Sequence, residues 1–331
     1  MNEEQAFQQA MLENPNDLAL RMVFADWLEE RGDPRGELLR LTHTLTQSID
    51  VPQRAEFEAR VQSLVDRGVQ AVGPFWTNSI GMRFAWIPPG TFVMGSPKSE
   101  QDPIRAKYGD RVGEEVSREI QHPVILTQGF FLGVHQVTQA DWQEVMGANP
   151  SHFWKNQLPV ETVSWVNAIV FCNTLSQMDG KNPYYNNREN TVTILGGNGY
   201  RLATEAQWEY ACRAGAVTAY GFGDTIDRLF KYAWCRGNSS EKTRKVGRKK
   251  PSAWGLHDMH GNVFEWCWDW YGDYPVEQAT DPSGPSEGQY RVLRGGSWYS
   301  FPLHIRSAYR GWSEPARSGY DIGVRVCFCP E

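Results

Sequence analysis

Between Arg291 and Val326 the chain reads RVLRGGSWYSFPLHIRSAYRGWSEPARSGYDIGVRV, a frame of glycines and arginines with unrelated side chains in its gaps. Gly295 and Gly296 permit a tight backbone, Trp298 supplies an anchor, and Arg306, Arg310, Arg317 and Arg325 can each hold a loop by several guanidinium-to-carbonyl hydrogen bonds. The gaps carry Tyr299, Ser300, Phe301, then Leu303, His304, Ile305, then Tyr309, Gly311, Trp312, Ser313, then Ser318, Gly319 and Tyr320. A backbone fixed independently of such mixed side chains suits a recognition surface better than a catalytic centre. Tyr299, Phe301, Ile305, Tyr309, Trp312 and Tyr320 are expected to form an exposed aromatic patch that marks a partner site, since Tyr and Trp give large contact area at small entropic cost.

The 331 residues predict two units, because single cores seldom grow past about 250–300 residues. Residues 1–75 hold 7 basic and 13 acidic side chains, so the whole net charge of −6 sits there, and residues 76–331 balance at 26 and 26. No basic face points to nucleic acid. The one basic run, KTRKVGRKK at 242–250, reads as a solvated loop. The opening MNEEQAFQQAMLENPND lacks the features of a signal peptide, and no stretch approaches the ~20 apolar residues of a membrane span. A cytoplasmic location is expected, with Cys172, Cys212, Cys235, Cys267, Cys327 and Cys329 as reduced thiols, Cys327 and Cys329 lining the core.

Residues 1–72 read as helical. Asn16 or Asp17 caps a helix whose apolar face is Leu20, Val23, Phe24, Trp27 and Leu28. A second helix starts at Pro34 with Leu38, Leu41 and Leu45 in one stripe, and a third carries Phe57, Val61, Leu64 and Val65. The core of such a unit is marginal, so it leans on a neighbour or partner. From Phe84 the pattern changes: a strand, a Pro-Pro-Gly turn and a strand over 84–96, then a strand and a helix capped near Thr138 over 130–146. Helices follow over 163–178, with Ser164 as cap and Val166, Val170 and Phe171 inward, and over 201–215, with Thr204 and Gln207 as a capping box. Short strands with long irregular connections predict an α+β fold.

IPPGTFVMGS, VHQVTQADW, PVETVSW, YRLATEAQWEYACRAG, WGLHDMHGNVFEW and RVLRGGSW, in that order over about residues 80–328, resemble the formylglycine-generating-enzyme (sulfatase-modifying factor) family. The resemblance implies a C-type-lectin-like domain at 76–331 held by buried aromatics such as Trp208, Trp254, Trp266 and Trp298. The stretch 17–41, DLALRMVFADWLEERGDPRGELLRL, resembles a repeat-companion module, which implies that residues 1–75 form a separable helical adaptor engaging a signalling or effector protein.

The oxidases of this family bind copper through two cysteines shortly after the GGS-aromatic turn, and the matching YSFPLHIRS (299–307) has none. The related sulfoxide synthases use three histidines on iron, whereas His43, His122, His135, His152, His257, His260 and His304 are scattered. His135 reads as structural. No copper, iron or organic cofactor is therefore expected, and no catalytic residue is assigned. Structural Ca²⁺ is implied by the family at Gly261, Val263 and Glu265, with pairing of Glu265 to an arginine as the alternative. A second calcium site has no counterpart, because RGNSSEKTRKVG (236–247) departs from the pattern.

Within the family the chain most resembles the variable proteins of diversity-generating retroelements, departing at Val324, where Phe is usual. That resemblance implies a non-enzymatic binding protein whose variable region, 297–321, takes a protein or other macromolecular ligand. Adenine-directed mutagenesis of AAC or AAT codons yields Tyr, Ser, Phe, Leu, His, Ile, Gly and Asp among others, the residue types at 299–301, 303–305, 309, 311, 313 and 318–321. Trp312 and Glu314 do not fit that codon origin.

Overall fold

A computed structural model describes residues 2–188 and 191–330. Four helices come first: α1 (Glu3–Glu13), α2 (Leu18–Glu29), α3 (Pro34–Gln47) and α4 (Arg54–Asp66). Asp17 accepts the Leu20 N–H to start α2, and Asp33 accepts that of Arg35 to start α3 at Pro34. Val23, expected inward, is instead exposed, because α2 packs through Arg21, Phe24, Ala25 and Leu28.

The stripes of α3 and α4 are not spent within the helical unit. Leu38, Leu45, Val61, Leu64 and Val65 share one buried cluster with Phe92, Tyr210, Phe222 and Trp254 of the large domain. Arg54 Nη1 donates to Gly215 O (2.9 Å), Tyr232 Oη to Asp66 Oδ1 (2.8 Å) and Lys250 Nζ to Asp66 O (2.8 Å). The unit therefore leans on its neighbour for part of its burial, as its marginal core led one to expect.

The large domain runs β1 (Phe75–Thr77), β2 (Arg83–Ile87), β3 (Gly90–Met94), α5 (Lys98–Tyr108), α6 (Asp110–Ser117), β4 (His122–Leu126), β5 (Phe130–Gly133), α7 (Gln139–Met146) and α8 (Trp165–Met178). It continues through β6 (Tyr185–Arg188), β7 (Thr191–Ile194), β8 (Arg201–Leu202), α9 (Glu205–Arg213), α10 (Leu229–Tyr232), β9 (Phe264–Trp270), β10 (Ala279–Thr280), β11 (Arg291–Arg294), β12 (Gly311–Ser313), β13 (Ile322–Gly323) and β14 (Val326–Phe328). One sheet has the order β1-β2-β5-β14-β8, a second β12-β11-β9-β13, a third β10-β4-β3, and β6 pairs with β7. The Pro-Pro-Gly turn thus carries the chain from the first sheet to the third.

Thr138, Ser164 and Thr204 each close a reciprocal capping box at the starts of α7, α8 and α9. On α8 the inward set is Ala168, Ile169, Phe171, Cys172 and Leu175, with Val166 and Val170 only partly covered. All six cysteines are unpaired thiols. Cys327 is buried and Cys329 half-buried. Among the described residues no helix is long and apolar enough to cross a membrane.

Candidate functional site

The arginines of the frame are held by buried carboxylates rather than by carbonyls alone. Arg306 takes both oxygens of Glu119 (2.8 and 2.7 Å), Arg310 both of Glu205 (2.8 and 2.8 Å) and Arg325 both of Glu265 (2.9 and 2.8 Å). Arg294, in β11, bonds Glu209 (2.5 Å) and the carbonyls of Ser307 and Ala308. Arg325 also donates to the carbonyls of Gly133, Val134 and His257. Burial raises the Glu205 carboxyl, but Arg310 and Arg294 outweigh it and hold it below the usual range. Arg317 is exposed and does not join the frame, a correction of its expected role.

Trp298 is the pivot. Its N–H donates to Asn262 O (2.7 Å), its indole Nε1 to Tyr320 O (3.0 Å), and its carbonyl accepts from Ser239 Oγ (2.8 Å). Gly296 has φ +72°, and a Cβ there would lie 2.2 Å from Ile305 Cγ2, so the turn needs glycine on both counts.

Of the thirteen window positions, five face inward. Ser300, Leu303, Ile305, Gly311 and Ser313 are buried, Ile305 completely. Ser300 Oγ accepts the Ser297 N–H (2.9 Å) and so shapes the turn, Leu303 and Ile305 lie in a 3₁₀ turn at Pro302–Ile305, and Gly311 and Ser313 are ladder residues of β12. They are corrected from surface to support, because a loop pinned at both ends must bury part of itself. Tyr299, Phe301, Trp312, Ser318 and Tyr320 are exposed, and His304, Tyr309 and Gly319 half-exposed.

The rings form a run of two groups joined by the Arg236 guanidinium, which lies 5.1 Å from the Tyr299 ring centre and 4.5 Å from that of Phe301. Tyr320 and Tyr299 contact the buried Trp298 (6.0 and 5.4 Å between centroids), and His304 contacts Phe301 and Tyr309 (6.4 and 4.9 Å). Trp312 instead packs at a tilt against Tyr290 (4.4 Å) and Tyr271 (6.2 Å). Sequence reasoning missed a second contributor, the loop Gly147–Leu158. His152 lies 5.9 Å from Tyr320, Phe153 5.5 Å edge-on to Trp298, and Trp154, 73% exposed, is beside them in the chain. Three consecutive aromatic-type residues in a polar loop were the available signal.

The oxygens proposed for calcium do converge. The carbonyls of Gly261 (3.2 Å) and Val263 (3.0 Å), Glu265 Oε1 (3.0 Å) and Asp258 O (3.3 Å) all surround Gln136 Nε2, which has two hydrogens for four acceptors. Gln136 Oε1 is buried without a partner. Such oxygens suit a hard cation in type, but four fall short of the about 6–8 that calcium takes, and the glutamine amide already engages them. Glu265 also holds Arg325 and accepts the Trp208 indole N–H (2.7 Å), so its arginine pairing is present as well.

Two further pairs of chemistry-bearing residues are held toward their neutral forms by burial. Cys212 Sγ lies 3.6 Å from His260 Nε2, but burial pushes the thiol up to about 12 and the imidazole down to about 4. His260 Nδ1 is 2.7 Å from Ile305 O and Nε2 accepts the Gly221 N–H, so the ring is a neutral hydrogen-bonding post. The His135 and His257 rings meet at a tilt, 4.9 Å between centroids, and burial pushes His135 down to about 3. Among the described residues no three His, Cys, Asp or Glu side chains gather to hold a metal ion.

An α+β domain with this frame and these capped helices defines a class, and comparison identifies it. The sulfatase-modifying factor enzyme 1-like domain matches residues 77–328, and the chain belongs to that family. It is 36% identical over 233 residues to the chaperone protein LppX of Paenibacillus barcinonensis, covering 60% of this chain and 79% of that one. It is 34% identical over 219 residues to the serine/threonine-protein kinase pkn1 of Chlamydia pneumoniae, covering 62% of this chain but only 33% of the kinase, so the chain spans about a third of that relative. Among solved structures it is similar to Treponema denticola variable protein 1, with TM-score 0.68 and 31% identity over 77% of this chain and 98% of that one.

Proposed function

We propose that the protein is a non-enzymatic binding protein that displays a diversified recognition surface on a sulfatase-modifying-factor scaffold, and that it is the target of a diversity-generating retroelement. The observation that carries this is the separation of labour in the window. Tyr299, Phe301 and Tyr320 are 54, 48 and 56% exposed, while the backbone beneath them is held by buried Arg–Glu pairs that use none of those side chains. Likeness to a variable protein of Treponema denticola supports the same reading. The ligand is a protein or other macromolecule, and the helical unit serves as the contact for a signalling or effector protein.

The competing reading, a copper or iron oxidase, has no cysteine at 299–307 for copper and, among the described residues, no gathered histidines for iron. The gene tests the proposal: codons at Ser300, Leu303, Ile305, Gly311, Ser313, Ser318 and Gly319, where the genetic code leaves the third base open, should end in C or T, with a near-copy rich in AAC close to a reverse-transcriptase gene. Codons ending in A or G at most of these positions would overturn it. Calcium at Gly261, Val263 and Glu265 is part of the proposal as a structural ion: chelation should lower the melting temperature, because an ion bound only to the native state stabilises it by mass action. Melting indifferent to chelator would remove it.

A further inference from the structure

We infer that the aromatic run continues into a basic strip outside the window, and that the two together take an acidic protein segment whose carboxylate seats on Arg236. This rests on the recognition reading above and names its ligand class. Residues 236–250 carry seven basic side chains against one acidic, Glu241. The run 242–250, expected to be a free solvated loop, is instead laced to the window. Arg244 N donates to Asn262 Oδ1 (2.9 Å) and Asn262 Nδ2 to Arg244 O (3.0 Å), while Asn262 O accepts the Trp298 N–H (2.7 Å). Val246 N donates to Gln157 O (3.1 Å), which ties the strip to the loop that carries His152, Phe153, Trp154 and the exposed Lys155.

Three of the cations are used internally: Lys249 lies 3.7 Å over the Trp234 ring, Lys250 reaches Asp66, and Arg244 Nε donates to Ser239 O (2.6 Å). Lys242 and Arg248 are exposed, and Arg244 and Lys245 half-exposed. Arg236 is the one that enters the aromatic run. Its backbone N–H donates to Ser300 O (3.0 Å), and its guanidinium lies 4.5 Å from the Phe301 ring centre and 5.1 Å from that of Tyr299. A guanidinium covered on its faces by rings keeps its in-plane N–H fork for a carboxylate, which it binds bidentately. The acids near this surface do not compensate the strip. Glu161 is buried, with its carboxylate bonded to Thr162 Oγ1 and Phe153 N, Asp321 is half-buried, and only Glu241 and Glu314 are exposed. Charge complementarity therefore selects an anionic partner. Carboxylates are favoured over phosphates, because residues 76–331 balance in charge and the chain carries −6, whereas nucleic-acid binding draws on a strongly positive field.

The test is to pan a random twelve-residue peptide display library against the full chain, and to measure the enriched peptides by fluorescence anisotropy beside a fluorescein-labelled Glu/Tyr copolymer and a dT20 oligonucleotide. Enrichment of Asp and Glu is expected, with affinity falling about ten-fold or more in Arg236→Ala, less in Arg236→Lys, and falling with salt; dT20 should bind more weakly than the copolymer. Thermal melting of each variant checks that the fold is kept, and Lys155→Ala/Lys242→Ala provides a second variant remote from the turn. Neutral or basic peptides lost in Tyr299→Ser/Tyr320→Ser but kept in Arg236→Ala would overturn the acidic ligand and leave the recognition reading standing. Tighter binding of dT20 would overturn it in favour of nucleic acid. Peptides indifferent to every window substitution, or no enrichment at all, would overturn both readings.

Discussion

Glu205→Gln should destabilise the protein by about 3–5 kcal/mol, the cost of leaving a buried cation without its counter-ion. Glu205 is 3% exposed and accepts both bonds of the Arg310 fork at 2.8 Å, the Tyr274 hydroxyl at 2.9 Å and a longer contact from Arg294 at 3.3 Å. Glutamine has the same shape, but one of its two ends becomes a donor facing a guanidinium. One charge-assisted hydrogen bond, about 1.5–3 kcal/mol, is lost outright, and Arg310, packed 3.7 Å over the Tyr274 ring, has no route to water for its charge. Against a total stability of about 5–15 kcal/mol this is a large fraction. Urea unfolding followed by tryptophan fluorescence reads it as a lower midpoint at unchanged slope. The double variant Glu205→Gln/Arg310→Met should recover much of the loss, since neither side then carries a buried charge. The pair also sets the acid limb: the Glu205 carboxyl is lowered in the fold, so its contribution is present above the unfolded value near 4.5 and is lost as pH falls through the lower folded value. A Glu205→Gln protein within about 1 kcal/mol of wild type would refute the argument that ion pairs hold the frame.

Burial, with Glu205 beside it, pushes the Asp269 carboxyl up to about 8, so the fold keeps a proton that the unfolded chain, near 3.8, gives up. That contribution is complete below 3.8 and lost as pH rises through about 8, so Asp269→Asn should flatten the stability profile between those values and exceed wild type above pH 8 in calorimetry. Tyr299→Ser/Phe301→Ser/Tyr320→Ser should change stability by no more than about 1 kcal/mol in urea melts, whereas Ile305→Ala should cost about 2–5 kcal/mol; similar costs would abolish the division between surface and support. Removal of residues 1–75 should expose the faces that α3 and α4 cover and give a chain that binds a hydrophobic dye and melts without a sharp transition; a cooperative melt at the wild-type temperature would favour the separable adaptor.

The α+β class, the capping boxes at Thr138, Ser164 and Thr204 and the pivot at Trp298 were legible because each rests on local chemistry within a few residues. The arginine frame was legible by half. Arg306, Arg310 and Arg325 announced themselves, but their carboxylate partners lie 187, 105 and 60 residues away in the chain, and no local pattern selects Glu119, Glu205 or Glu265 from other acids. Exposure within the window was misjudged for the same reason. Ile305 differs from Phe301 only in what tertiary packing lays over it, here Gly296 and the turn it permits. That the helical unit leans on something was legible from its marginal core, but a helix stripe shows that a face is covered without showing whether neighbour or partner covers it.

The register of β14 has a consequence for how altered copies of this gene behave. β14 is the interior strand that pairs with β5 on one side and β8 on the other, and it is encoded after the window. A frameshift or stop codon arising anywhere in 297–321 deletes the keystone of a sheet whose other strands are already translated. Such a chain has two open strand edges facing one another and exposes its interior to proteolysis, so damaged products remove themselves. A chain that completes this sheet is one read in frame through the whole window, so the sheet itself checks that the segment before it is intact.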